Sequence, residues 1–564
     1  IEEARQHPDR LPPEFRALGI LPEKWTPEVV ISRHQGLLGN IGQELATGRA
    51  VASIGEEKVK TLMWFHPKEP DLTLEEGIDS AALSENILEL YNAYRKPVAF
   101  QKGDVVEAYR GSSVETALQR ATPQKIDSLA LGSNNWVIQP ELMSNGKALM
   151  ANDPHRTVAV PSLRYMAHLV APGWDVIGGG EPEIPGISIG HNPNGAWGLT
   201  VFRTDGEDLY VYETNPENPN QYRYQGSWED MEVIRESIPV KGRADHIVEL
   251  KYTRHGPVVY EDEKREKAYA VRCAWLEPGG APYLASLRMD QARTWEEFRE
   301  ACNYSHIPGE NMVWADTEGN IGWQAVGIAP VRKNFSGLVP ISGDGRHEWE
   351  GYLPIVEKPN SVNPGSGFIA TANQNVTPEG YRHWEAIGYS WSDAFRGQRI
   401  EEVLGGGEKL DLEDMKSLQV DYFSIPARTL VPYLEKLTVD ETAMEALEYF
   451  KGWDYMLSPN SIPAAIYVAW ENEIKKQAHL RFVPEEAQEY IRSLQLERIL
   501  QWVEYPAAMF GSPAGRDAFL KETFELSIGE LTDRLGTDMS HWEYGQKAFK
   551  HIEISHALSS LVAD

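Results

Sequence analysis

The sequence predicts an α+β protein. Three features of its 564 residues lead there: helical periodicity toward the start, short β-rich runs through the middle, and helical periodicity again toward the end. From Pro27 to about Tyr94 apolar residues recur at helical spacing, with Leu83, Ile87, Leu88, Leu90 and Tyr91 on one stripe. Residues from about Lys102 to Asp127 are polar and aperiodic, lead into Leu129, Ala130 and Leu131, and read as a connector. After Gly132, runs such as Trp136 to Ile138, Thr157 to Val160 and Leu199 to Phe202 alternate with Gly, Pro and Asn turns, so strands are expected to about Ile369. Within that region Thr294 and Glu297 form a capping-box pattern opening a helix through Phe298 and Ala301. From about Leu410 the residues Leu418, Leu430, Leu434, Met444, Leu447 and Phe450 fall at core positions of further helices. No fixed-period repeat interrupts this order.

Composition narrows the function classes. With 84 acidic and 54 basic side chains the formal charge is −30, and no basic run offers the cationic surface that nucleic acid or an anionic membrane requires. Neither is an expected partner. Two cysteines, Cys273 and Cys302, cannot build a disulfide framework or a multi-cysteine zinc site. No stretch approaches about 18 consecutive apolar residues, so no membrane span is expected. The chain opens at Ile1 with neither Met nor a charged-then-apolar leader, which reads as a cut start.

Two serines present themselves as nucleophiles. Gly186-Ile187-Ser188-Ile189-Gly190 has G-x-S-x-G spacing, which in hydrolases places a serine on a sharp strand-to-helix turn. Here His191 to Gly195 make a turn and Trp197 to Phe202 continue in strand style, so the helix that would complete the elbow is missing. H-E-x-x-H, P-loop and EF-hand patterns are absent, and Gly178 to Gly180 lack dinucleotide-fold spacing. Ser133 follows Gly132 where the helical and β-rich regions meet. Taken alone, it is an ordinary turn residue.

The residues C-terminal to Ser133 change that reading. Ser133-Asn134-Asn135-Trp136 is succeeded in order by Asn152-Asp153-Pro154-His155, Gly190-His191-Asn192, Trp197-Gly198-Leu199-Thr200, Thr253-Arg254-His255-Gly256-Pro257, and Asn311 before Trp314-Ala315-Asp316. Asn373, the run Gln419 to Arg428 with Asp421 and Ser424, and Gly452-Trp453-Asp454 come next. This succession resembles the penicillin acylase family of N-terminal-nucleophile hydrolases and covers nearly the whole chain. Against that family a leading segment is missing and the chain stops early at Asp564, so the resemblance implies a fragment.

The resemblance implies a four-layer αββα sandwich. Residues 1–110 would be an N-terminally incomplete α-type segment, 111–132 a connector ending at a self-cleavage site, and 133–564 a C-terminally incomplete β-type segment. It also implies that the precursor cuts itself between Gly132 and Ser133 into a processed heterodimer. Gly132 suits such a step because a residue without Cβ tolerates strain and close approach. The freed α-amine of Ser133, with an ordinary pKa of about 7.7–8.0, would then be a general base on the same residue as the nucleophilic hydroxyl. The Val201 backbone N–H and the Asn311 side-chain amide are the implied oxyanion donors, although an asparagine near Pro308 and Gly309 also reads as a turn former. His155 would orient the Ser133 amine, its alternative being a strand-end histidine that satisfies a backbone group. Arg332 would support the network, or be a surface arginine.

A structural calcium ion is the implied cofactor. Asp205 and Asp208 would give side-chain oxygens, Glu207 a carbonyl oxygen, and Glu44 a ligand from the first segment. Composition alone reads the same acids as a solvated loop. The expected reaction is hydrolysis of a small-molecule N-acyl amide, penicillin-like or otherwise, through an acyl-enzyme, in the periplasm or outside the cell. Acyl-homoserine-lactone acylase, an esterase using Ser188, and an inert fragment or precursor retaining the fold are the rival readings.

Overall fold

The computed structural model describes residues 1–32, 39–96, 98–111, 132–240, 242–280, 283–552 and 554–562. Helix and sheet are mixed, as expected. Of the connector only Gly111 and Gly132 are described; 112–131 lie outside the described residues. No helix among the described residues is long and apolar enough to cross a membrane.

Three sheets concern the site. In the smallest, β1 (Gly132–Ile138) is flanked antiparallel by β2 (Leu149–His155) and by the strand Phe368–Thr371. Its register sets Ser133 opposite Pro154 and Asn135 opposite both Asn152 and Thr371. A seven-stranded antiparallel sheet begins with β3 (Tyr165–Ala171), β4 (Trp174–Gly180), β5 (Ile189–His191) and β6 (Gly195–Val201), then continues through Glu310–Asp316, Ile321–Ala325 and Asn360–Val362. An eight-stranded sheet is built around β7 (Glu207–Asn215) and Lys267–Cys273.

Strand alternation decides which way β1 presents its chemistry, because successive side chains point to opposite faces. Val137 shares a core with Phe202, Val313 and Ala315 of the seven-stranded region. Trp136 and Ile138 point the other way, into a core with Ile400 and Leu404 of the helix Phe395–Leu404 and with Met415 and Leu418 of the helix Leu412–Gln419. Ser133 and Asn135 have the parity of Val137 and face β6; Asn134 has the parity of Trp136. On the far side of the seven-stranded sheet, Trp197, Leu199 and Trp314 pack on Trp295 and Phe298 of the helix Trp295–Cys302, with the Phe298 and Trp314 rings 4.9 Å apart.

The first segment is packed into the rest of the chain. From the helix Ile41–Ile54, Ile41 and Leu45 lie in one core with Leu209, Val211 and Tyr269 of the eight-stranded sheet. Ala50 and Val51 of the same helix join a helical core with Leu430, Leu434, Trp470 and Phe524.

Several local expectations are corrected. Leu83, Ile87 and Leu88 are buried but stand in turns, and only Leu90 and Tyr91 of the stripe are on a helix, Glu89–Arg95, with Leu90 60% exposed. Around Leu83 the Asp79 side chain accepts the N–H groups of Ala81 and Ala82, a local bond that competes with helix. Thr157 to Val160 is no strand; only Ala159 makes an isolated bridge, to Ser555, and Pro161, which has no N–H, follows. Met444 is exposed on its helix, Glu441–Glu448. The Thr294 cap forms, its hydroxyl accepting the Glu297 N–H at 3.3 Å.

Candidate active site

Ser133, 2% exposed, stands at the head of β1 over the last residue of β6. The Val201 N–H donates to Ser133 Oγ at 3.3 Å, and Asn373 Nδ2 donates to the same oxygen at 3.1 Å. Asn373 Oδ1 accepts the Ser133 N–H at 2.9 Å and Arg396 Nη2 at 2.9 Å, which fixes the orientation of its amide. Arg396 Nη1 donates to the Ser133 carbonyl at 2.9 Å and also to Asn134 Oδ1. Burial pulls this guanidinium below its ordinary pKa. Asn373 takes a φ of +70° just beyond the strand Phe368–Thr371, a left-handed conformation that asparagine adopts more readily than most residues.

The residues expected around Ser133 are only partly brought to it. His155 lies one strand over, opposite Gly132 in the register; its Nε2 stands 3.0 Å from Asp153 Oδ2 and 3.3 Å from Asn134 Nδ2. Asn311 makes no hydrogen bond to the Ser133 hydroxyl, although it and Asn373 both donate to the Val201 carbonyl. Its Nδ2 donates to Thr200 Oγ1 at 3.0 Å and to the Val201 carbonyl at 3.4 Å, and its Oδ1 accepts Trp323 Nε1 at 2.9 Å. Thr371 gives its proton to Asn135 Oδ1 at 2.5 Å, so Thr200 donates to Thr371 at 2.6 Å and is left to accept from Asn311. Asn311 thus begins a polar chain that joins the two sheets beneath the serine. The amide facing Ser133 is that of Asn373, and the guanidinium beside it is that of Arg396 rather than Arg332.

Gly132 is placed as its lack of a side chain requires. A Cβ there would come within 2.9 Å of Arg396 Nη2 and 3.0 Å of Asn373 Oδ1. Its carbonyl accepts Arg156 Nη1 at 3.4 Å. Ser188, by contrast, enters the β5–β6 hairpin with no helix behind it.

An apolar cavity of about 370 Å³ adjoins the β1–β2 end, lined by Pro154, Tyr165, Met166, Ile177 and Ile189 with Arg164 among its walls. Pro154 lies directly across from Ser133. A more polar cavity of about 570 Å³ beside Tyr212, Lys267 and Arg346 belongs to the eight-stranded sheet. Opposite Val201 in the register is Glu310, whose Oε1 accepts the Tyr283 hydroxyl at 3.0 Å while Oε2 has no partner. Burial pushes its carboxyl up to about 8.

Glu44, Asp205, Glu207 and Asp208, the expected calcium ligands, do converge, where the first segment meets β7. Glu44 accepts the Leu209 N–H at 3.0 Å, and Asp208 accepts Trp349 Nε1 at 2.5 Å. Glu207 accepts the Tyr91 hydroxyl at 2.8 Å and pairs with Arg95 at 3.4 Å. Burial and the adjacent Asp208 hold the Glu44 carboxyl well above the usual range. The donor chemistry is the hard oxygen that calcium takes, and Asp205 Oδ2 is buried without a partner, but a cation of the protein already stands here. Arg332 stands among these oxygens, and no three Asp, Glu, His or Cys side chains of the described residues are placed to hold a metal.

Sequence reasoning misses the roles of Asn373 and Arg396. Asn373 stands among the landmarks without a function attached to it, and Arg396 carries no local motif at the start of its helix.

With the fold and this serine-centred site in view, comparison with known proteins places the chain in a class of acylase-like folds. It belongs to the penicillin amidase family, matched over residues 1–563. It is 26% identical to the acyl-homoserine lactone acylase QuiP of Pseudomonas aeruginosa over 95% of this chain and 66% of that protein. It is 27% identical to the penicillin acylase 2 proenzyme of Pseudomonas sp. over 85% of this chain and 60% of that protein. Penicillin G acylase of Escherichia coli is 26% identical over 80% of this chain and 58% of its own length. The chain therefore spans about two thirds or less of these relatives. A solved thermostable penicillin G acylase from Alcaligenes faecalis superposes with a TM-score of 0.63 at 25% identity, covering 72% of this chain and 80% of that one.

Proposed function

We propose that the chain is the core of an N-terminal-nucleophile amidohydrolase that cleaves a small N-acyl amide through an acyl-enzyme on Ser133. The observation that carries this reading is the convergence of two donors, the Val201 N–H and the Asn373 amide, on a buried serine hydroxyl whose own nitrogen is held by the same asparagine. In maturation, Ser133 Oγ attacks the Gly132 carbonyl carbon. The acyl group passes from nitrogen to oxygen, and water hydrolyses the ester to a Gly132 carboxylate and a free Ser133 amine. Arg156, 3.4 Å from the Gly132 oxygen, is suited to polarise that carbonyl.

In turnover, the Ser133 amine accepts the hydroxyl proton as Oγ attacks the substrate carbonyl, then returns it to the leaving amine. A carbonyl carbon bonded to Oγ carries its oxygen within reach of Val201 N–H and Asn373 Nδ2, where preorganised donors contribute most. His155 acts through Asn134, and Arg396 through Asn373, to hold these groups. The cavity walled by Pro154, Ile177 and Ile189 suits an apolar acyl group.

Helices packed outside the β1 and β6 sheets support reading the fold as an αββα sandwich; the proposed cut ahead of Ser133 would give a two-segment heterodimer. Periplasmic or secreted location rests on the family resemblance alone. A homoserine-lactone nucleus is the second reading, favoured by the greater share of this chain that the QuiP relative aligns with.

Intact-mass measurement and N-terminal sequencing test the proposal, combined with amine release from phenylacetyl, phenoxyacetyl, glutaryl and long-chain acyl amides. A second chain beginning Ser-Asn-Asn-Trp and loss of turnover in Ser133→Ala are expected. Full activity in a chain still joined at Gly132–Ser133 would overturn it.

A further inference from the structure

We infer that the acidic cluster between the first segment and β7 takes no metal ion, because the guanidinium of Arg332 serves as its resident cation. The side chain of Arg332 is wholly inaccessible to solvent, as is that of Asp208. Its Nε donates to both carboxylate oxygens of Asp208, at 3.0 and 2.9 Å. Its Nη2 stands 3.1 Å from Asp205 Oδ1 and donates to the backbone carbonyls of Asp205 at 3.2 Å and Glu207 at 3.3 Å. These are two carboxylates and two carbonyls of one chain turn, the set of hard oxygens an oxygen-seeking divalent ion would gather. One planar cation engages both carboxylates and both carbonyls from inside the fold, while Asp205 Oδ2 and Arg332 Nη1 stay buried without a partner.

The remaining carboxylates are also provided for by the protein. Glu207 is held by the Asn40 N–H at 3.2 Å, the Tyr91 hydroxyl and Arg95. Asn40 Nδ2 donates to Asp205 Oδ1, and Glu44 turns both oxygens to the Leu209 N–H. Asn40, Glu44, Tyr91 and Arg95 come from the first segment, Asp205 to Asp208 from the approach to β7, and Arg332 from the end of the strand Ala329–Arg332. The guanidinium is therefore the centre of a joint between parts of the chain that an ion would otherwise bind together. Gly337 leaves the room it needs: a Cβ there would meet the Arg332 Cζ at 2.6 Å.

A guanidinium is fixed in the fold and cannot be removed by a chelator, whereas an ion binds by mass action and makes the melting temperature depend on its concentration. The test is thermal unfolding and elemental analysis of the purified protein before and after dialysis against EGTA, then with calcium, magnesium or manganese added back. Less than a tenth of an equivalent of divalent metal and an unchanged Tm in every condition are expected. A stoichiometric ion, or a Tm that falls on chelation and returns with calcium, overturns the inference. Arg332→Gln supplies the second arm: this variant should have a lowered Tm that rises with added calcium. If it matches the parent protein without metal, Arg332 is not the compensating cation. If it does not fold, the chelation result on the parent protein decides.

Discussion

Asn373 grips Ser133 at both ends, its Oδ1 receiving the serine N–H at 2.9 Å and its Nδ2 donating to Oγ at 3.1 Å. No other side chain of the described residues is shown making both contacts. Asn373→Ala is therefore expected to lower kcat by about 10²–10³-fold, the equivalent of about 2.7–4 kcal/mol for an oxyanion donor. Asn311→Ala should reduce folding stability more than it alters kcat in molecules that fold, since its amide is committed to Thr200 and the Val201 carbonyl. Parallel kcat and Tm measurements check this; the reverse ranking would return the donor role to Asn311.

A methyl group at position 132 should slow maturation. Gly132→Ala would press its Cβ to 2.9 Å from Arg396 Nη2, and a strain of about 1.4 kcal/mol in the cleavage transition state is a tenfold loss of rate. Gly529→Ala, on the helix Pro513–Leu535 with nothing within 4 Å of the new methyl, is the control. Time-resolved mass spectra of the two variants give the answer, and equal rates would remove steric demand from the account.

Glu310 makes stability pH-dependent in a stated direction. Its folded carboxyl keeps its proton up to about 8, against an ordinary value of 4.5. Its contribution is therefore fully present below about 4.5 and is lost as pH rises through about 8. Glu310→Gln, which cannot ionise, should gain on the order of 2–4 kcal/mol relative to the parent protein between those limits. Unfolding curves at pH 5 and pH 8.5 measure the gain; an offset equal at both pH values would show that Glu310 does not titrate in this window.

The cavity beside Pro154 makes a prediction about selectivity. Ile177→Phe fills part of a wall lined by Met166 and Ile189. The variant should lower kcat/KM for bulky acyl amides at least about tenfold while sparing acetyl amides, since a misfitted methylene costs about 1–3 kcal/mol. Uniform loss across acyl lengths would place the acyl group elsewhere.

The sequence reveals elements whose determinants are local. The Thr294 cap, the strand through Trp136 to Ile138 and the strand through Leu199 to Val201 are set by neighbouring residues. The stripe from Leu83 to Leu88 misleads because its burial, which is real, mimics the signature of a helix, while the Asp79 turn is set by one side chain bonding its own backbone. At the site, Ser133 can be read from its neighbours, but Asn373 lies 240 residues away and Arg396 is brought in by a helix packing on β1. Such partners are chosen by tertiary packing, and a short motif carries no trace of them. Asn311 and Arg332 are the counterpart: polar residues near the landmarks, whose bonds turn out to join sheets and neutralise acids.

The helix Ile41–Ile54 is divided between two cores, Ile41 and Leu45 in one and Ala50 and Val51 in the other. After a cut ahead of Ser133, non-covalent contacts alone would keep the pieces together. Renaturation would then be a second-order encounter between two polypeptides, its yield rising with protein concentration, whereas the uncut precursor would recover at a rate indifferent to dilution.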